Sequence, residues 1–346
     1  MKDRRYKLKV GIVIFGLLFV SFSFYAYQIF FTPNFKVEEG KPYVLYIPTG
    51  ATFQTVADSL RNNERIMDFL SFAFISRLMD YQENVKPGRY EITSKNSSNV
   101  RVVRLLKSGK QSPLNLTFNN IRLKKDFAER ISKKMEFSEK SLLQLLNNPE
   151  YTKHFGFDTT TIMSMFIPNT YEVFWTLSPE DFCERMYKEY NNFWTEERKQ
   201  KAQALGLTQI QVSIMASIVE AETNKTHEMP TISGVYLNRL RADMPLQADP
   251  TVKFAVGDFS IKRIYSGHLE TDSPYNTYKY TGLPPGPINL PSITALDAVL
   301  NTERHKYIYF CASENLNGTH NFAENFEEHK KNAEKYRKAL NKLKIK

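Results

Sequence analysis

The sequence predicts an α+β protein made of an N-terminal transmembrane helix, a small α+β module and a larger α+β domain. Three observations lead there. Val10–Phe31 is an uncharged run of 22 residues behind a basic N-terminus. Residues 41–109 carry strand-like and helix-like stretches in the order strand, helix, helix, strand. From residue 113 onward, long helical patterns alternate with loops rich in proline and tyrosine.

The anchor comes first in the chain. As a helix, 22 residues reach about 33 Å, enough to cross a hydrocarbon core of about 30 Å. Lys2, Arg4, Arg5, Lys7 and Lys9 precede the run, with Asp3 the only acid among them. The positive-inside rule then keeps residues 1–9 in the cytoplasm and places the chain after Thr32 outside, anchored in the cytoplasmic membrane. Tyr25, Tyr27, Phe30 and Phe31 cluster at the outer end, as an aromatic belt does. The alternative is a cleaved signal peptide with Ser21-Phe22-Ser23 at its small-residue site, but the apolar run continues past it.

In the module, Tyr43–Ile47 reads as a strand closed by Pro48-Thr49-Gly50. Thr52 opens an amphipathic helix with Val56, Ala57 and Leu60 on one side. A second helix covers about Asp68 to Leu78, a turn at Lys86-Pro87-Gly88 leads into Arg89–Ile92, and a third helix runs from about Asn99 to Leu106. This order, with the phrase "IPTGATFQTVADSL", resembles a LysM-like peptidoglycan-binding module. A plain α+β spacer has the same pattern.

The totals narrow the chemistry. With 346 residues, 42% hydrophobic and 24% charged, the chain is ordinary globular material with a sizeable core. Its 25 Phe and 19 Tyr suit either core packing or stacking on sugar faces. Cys183 and Cys311 lie far apart with no CxxC or Cys/His spacing, so two unpaired, partly buried thiols are expected and no metal site. The net charge of +10 gathers at the end: Lys330–Lys346 holds eight Lys/Arg against Glu334. There Ala333, Tyr336, Leu340 and Leu343 step by three and four, giving an amphipathic helix with a basic face. That face suits an anionic polymer or membrane surface, or simply water. Nucleic acid is not an expected partner.

The larger domain holds the candidate chemistry. Gly206 breaks one helix and Thr208 is placed to cap the next, which runs through "IQVSIMASIVEAET". At 100° per residue, Ile210, Val212, Ile214, Met215, Ala216, Ile218 and Val219 form a broad apolar side, while Ser213, Ser217 and Glu220 share a narrow polar one. Glu222 falls between Ile218 and Met215, within the apolar side. A carboxyl there is partly desolvated, which raises its pKa and suits it to general acid work. If the helix stops before Glu222, the side chain is merely solvated. Periodicity alone leaves both open.

Five motifs in order, "FIPNTYE", "ASIVEAET", "LQADPTV", "YNTY" and "GLPPGPI", are similar to those of the MltG/YceG family, over the chain from about Lys41 to the end. Asn169 and Ala248 depart from the commonest form, where many members have Asp and Thr. The resemblance implies a single-pass endolytic lytic transglycosylase whose catalytic domain spans residues 113–346. Glu222 aligns with the family's catalytic glutamate and Glu220 does not. Its implied substrate is peptidoglycan glycan strands, with penicillin-binding-protein synthases as partners and no cofactor. Thr223, Gln247, Asp249, Tyr275, Asn276, Thr277 and Tyr278 are the expected substrate-binding residues. Leu283–Pro287 forms a stiff loop, and Asp249-Pro250 also reads as a helix N-cap followed by proline. Two other readings remain: a muramidase using Asp249 or Glu172 as second carboxylate, and a non-catalytic scaffold on peptidoglycan. A cytoplasmic pyridoxal-phosphate lyase is set aside, since no glycine-rich phosphate loop is present and the anchor exports the domain.

Overall fold

The computed structural model describes residues 2–62 and 64–342. Mixed helix and strand form two compact units. The first comprises residues 1–115 and 172–177, and the second residues 116–171 and 178–346.

In the first unit, helix α1 (Lys2–Phe31) is followed by strand β1 (Tyr43–Ile47), helices α2 (Phe53–Asn62) and α3 (Phe69–Leu78), strand β2 (Gly88–Ile92) and helix α4 (Asn99–Ser108). The two strands pair antiparallel, from Tyr43 opposite Ile92 to Ile47 opposite Gly88. Alternation along β1 turns Leu45 and Ile47 inward against Val56, Leu60, Phe72, Ile75, Tyr90 and Val103. Asp68 caps α3 by accepting from the Leu70 and Ser71 amides. The helix from Arg4 to Phe31 contains an apolar run long enough to span a membrane, and little of it is covered.

The chain then runs through strand β3 (Leu114–Phe118), helices α5 (Lys124–Ser132), α6 (Glu139–Leu146) and α7 (Pro149–His154), and strand β4 (Asn169–Val173), which pairs with β3; residues 116–118 and 169–171 of these strands and the three helices belong to the second unit. Helices α8 (Pro179–Phe193), α9 (Glu196–Leu205), α10 (Gln209–Glu222), α11 (Met229–Arg241), α12 (Asp249–Val256), α13 (Ser266–Leu269) and α14 (Ile293–Leu300) follow. A hairpin of β5 (Tyr309–Ala312) and β6 (His320–Ala323) and helix α15 (Phe326–Lys342) complete it. An aromatic cluster fills the α5–α8 end, with the Phe127 and Phe166 rings 4.4 Å apart. Cys183 is buried there in α8, and burial pushes its thiol up to about 12, so it is inert at neutral pH.

Helix α10 is the axis of the remainder. Gly206 ends α9 in the left-handed conformation, the chain bends by 76°, and Thr208 caps α10 in a reciprocal box with Gln211. Val212 through Val219 are all buried, so the narrow polar side is buried at Ser213 and Ser217 as well. The segment before α14 covers it. Ser217 Oγ accepts from the Ile288 amide at 3.0 Å, and Asn289 Nδ2 donates to the Ser217 carbonyl at 3.3 Å. Helix α15 begins at Phe326 and has no fully buried side chain, although Ala333, Tyr336 and Leu340 are half-buried. Leu343, Lys344 and Lys346 of the basic run lie outside the described residues.

Candidate active site

Glu222 is the last residue of α10, where the backbone turns into the extended conformation of Thr223. The helix therefore keeps its register through the residue that periodicity left in question. The carboxyl reaches α11, and Tyr236 Oη donates to Glu222 Oε1 at 2.7 Å. Tyr236 is itself buried, its ring edge-on to Phe310 at 5.9 Å. Burial pushes the Glu222 pKa up to about 7, the negative charge of Asp249 pushes the same way, and the Tyr236 hydrogen bond and Lys253 oppose them.

One turn beyond Tyr236, the buried Arg239 holds the neighbouring loop. Its Nε donates to the Ile308 carbonyl at 2.6 Å, and Nη1 donates to the carbonyls of Pro245 and Leu246 and to Gln247 Oε1 at 3.2 Å. Gln247 sits at φ +51°, a strained setting costing about 1–3 kcal/mol, which this clamp and the bond from its amide to the Thr277 carbonyl maintain. Asp249 is the first helical residue of α12, and Ala248 occupies the cap position. The Asp249 carboxylate is instead engaged by Tyr278 Oη at 2.7 Å, and burial, helped by this bond, raises the Tyr278 pKa.

These groups line a cleft of about 400 Å³, with Glu222, Gln247, Asp249 and Tyr278 on one part and the hairpin on another. Strand β5 contributes Tyr309, Phe310, Cys311 and Ala312, and His320 comes from β6. The hairpin is fastened through Glu228, just before α11. Its Oε1 accepts from the His320 amide at 2.9 Å and its Oε2 meets His320 Nδ1 at 3.0 Å. Tyr309 stacks on His329, ring centroids 5.2 Å apart, and the Arg239 guanidinium lies 5.2 Å from the centre of the Tyr309 ring.

The other expected binding residues do not line this cleft. Thr223 is buried and its Oγ1 accepts from the Lys225 amide. Asn276 is fully buried and ties its own loop, donating to the carbonyls of Leu269 and Thr271. Thr277 Oγ1 accepts from the Ala248 amide at 3.0 Å and pairs with Thr251 Oγ1 at 2.8 Å. Tyr275 packs on Phe254 at 4.6 Å and on Gly286, where a Cβ would collide with the Thr160 carbonyl. Asn276 and Thr277 thereby hold the loops that present Gln247, Asp249 and Tyr278. Glu220 points elsewhere, and its Oε2 accepts from the Ser292 amide at 3.1 Å, before α14.

The sequence reading missed Tyr236, Arg239, Tyr309, Phe310 and His320. One signal existed for the first two: a tyrosine and an arginine three apart, on one face of a helix. Among the described residues no group of three or more His, Cys, Asp or Glu is placed to hold a metal. The cleft offers one carboxyl poised to give and take a proton near neutral pH, flanked by aromatic rings and hydrogen-bonding groups suited to sugars.

Comparison with known proteins points one way. A family model described as YceG-like matches residues 45–335. An endolytic murein transglycosylase of Bacillus subtilis is 28% identical, over 84% of this chain and 83% of its own length. One from Streptococcus pneumoniae D39 is 24% identical over 93% of this chain, which spans 64% of that longer protein. A solved structure of a YceG-like protein from Listeria monocytogenes superposes with a TM-score of 0.56 at 27% identity, covering 84% of this chain and 98% of that one.

Proposed function

The chain belongs to the YceG-like family, and on that premise we propose that it is an endolytic murein transglycosylase in which Glu222 serves as both acid and base. The observation that carries the reading is the Glu222 carboxyl, desolvated, hydrogen-bonded by Tyr236 and held near pKa 7 at the edge of the cleft. Protonated Glu222 gives its proton to the oxygen bridging MurNAc and GlcNAc, and the sugar's N-acetyl group stabilises the charge at C1. The ionised carboxylate then removes the C6 hydroxyl proton, and that oxygen closes a 1,6-anhydro ring. One group with a pKa near the working pH suits both transfers.

Tyr278, Tyr309 and Phe310 supply faces for the sugars, and Gln247 and Asp249 supply hydrogen-bond partners for hydroxyls and acetamides. The strand–helix–helix–strand portion of the first unit is read as a LysM-like module that presents glycan. Helix α1, behind its basic N-terminal residues, is read as a span of the cytoplasmic membrane with the N-terminus inside. The enzyme then cuts strands close to where penicillin-binding-protein synthases extend them. Digestion of purified glycan strands tests the activity. A spread of long fragments from internal cuts is expected, and release of disaccharides alone, or no cleavage, would overturn the endolytic reading.

A further inference from the structure

Helix α3 reads FLSFAFISRL, and its inner face is Ser71, Phe72, Ile75 and Ser76, all buried. Leu70, Phe74 and Leu78, spaced by four, form an outer stripe that is 79%, 53% and 58% exposed, and Met67 just before the helix is 57% exposed. A surface helix ordinarily turns polar residues outward, so this stripe calls for a cover.

The neighbouring element indicates which cover. Of the α1 side chains described, only Ala26, Ile29 and Phe30 are even partly covered; Ile29 and Phe30 pack on the core that α3 and α4 help to build. Asn99 Nδ2 donates to the Ile29 carbonyl at 3.0 Å. Asn34, just past the end of α1, donates through Nδ2 to the Asp68 carbonyl and to Asn99 Oδ1, each at 2.7 Å, and its Oδ1 accepts from the Asp68 amide at 2.8 Å. Since Asp68 caps α3, these bonds fix α3 to the outer end of α1. Ala26 lies five residues before Phe31, so the module grips the helix within about 8 Å of the end of the apolar run. That is the depth of the boundary between headgroups and acyl chains, about 5–10 Å, where amphipathic helices rest. The one charged residue of α3, Arg77 in its last turn, can run its stem along the apolar surface and reach phosphates with its guanidinium.

We propose that α3 is an interfacial helix lying in the outer leaflet of the phospholipid bilayer, with Met67, Leu70, Phe74 and Leu78 among the upper acyl chains. The proposal rests on α1 being the membrane span. Span and interfacial helix together then give the module one fixed orientation at the membrane surface.

Full-length protein in vesicles of phosphatidylethanolamine and phosphatidylglycerol tests this. An environment-sensitive fluorescent amino acid replaces Phe15 in α1, Phe74 in α3 or Asp58 on the exposed side of α2, with lipids brominated high or low on the acyl chain. The proposal expects the probe at 15 to be quenched by the brominated lipids, the probe at 74 to be blue-shifted and quenched best by shallow bromines, and the probe at 58 to be untouched. Quenching at 15 with a water-exposed or self-associated probe at 74 would overturn the interfacial helix and leave the span standing. An unquenched probe at 15 would overturn the span and the proposal with it. Equal quenching at 58 and 74 would mean unspecific adhesion and would also overturn it.

Discussion

Glu222→Gln separates the functional role of this residue from its cost to the fold. The amide keeps the shape and can still accept from Tyr236 Oη, but it cannot exchange a proton. The wild-type carboxyl has its pKa raised from 4.5 to about 7 in the folded protein. The folded state therefore binds more protons than the unfolded one between these values, and stability falls as pH rises through that window. Below the unfolded value the cost is absent, and above the folded value it is complete. The shift corresponds to a ceiling of about 3 kcal/mol, which the partial opening to the cleft reduces to about 1–2 kcal/mol. The neutral amide carries no such cost, so the variant gains stability over wild type at pH 8 and not at pH 4.5. For a unit of this size the gain is about 2–4 °C in melting temperature per kcal/mol. Thermal unfolding of the detergent-solubilised proteins at both pH values reads it, and activity should meanwhile drop by at least about 10²–10⁴-fold. A variant less stable than wild type at pH 8, or a difference independent of pH, would refute the desolvated carboxyl. Near-normal turnover in a folded Glu222→Gln protein would refute its catalytic role.

Tyr236→Phe removes the hydrogen bond that favours ionised Glu222, so the alkaline limb of the pH–rate profile should move to higher pH, and an unmoved limb would show that the contact does not tune the acid. Glu220→Gln retains an oxygen for the Ser292 amide and should cost no more than about 1 kcal/mol of stability with turnover kept; a loss of activity matching that of Glu222→Gln would mean the wrong glutamate was chosen. Alkaline phosphatase fused after Lys346 should be active in cells, whereas an active cytoplasmic reporter at the same site would contradict export of the second unit.

Local patterns made part of this structure legible. The Thr208 cap and the Gly206 break locate the start of α10, because capping is a short-range effect, whereas the helical period left its end at Glu222 open. The strand, helix, helix, strand order of the first unit was readable from turn residues and alternation for the same reason. Long-range effects were not readable. The polar partner of Ser217 is the amide of Ile288, 71 positions on, which no local pattern indicates. Asn276 and Thr277 have the chemistry of sugar ligands but spend it on backbone groups, Asn276 within its own loop and Thr277 on the amide of Ala248, a competition that spacing does not reveal. The aromatic wall of β5 joins Glu222 from about 90 residues downstream through the Glu228–His320 contact, and nothing local announces that pairing.

In the proposed reaction one carboxyl cuts the strand without water. Asp249 lines the same cleft and is the group a hydrolase would need as its second carboxylate. Digestion of purified glycan strands in ¹⁸O-labelled water, followed by mass spectrometry of the new ends, distinguishes the two chemistries. The expected ends are 1,6-anhydroMurNAc, lighter by one water than a reducing sugar and free of label. Reducing MurNAc ends carrying ¹⁸O would contradict it.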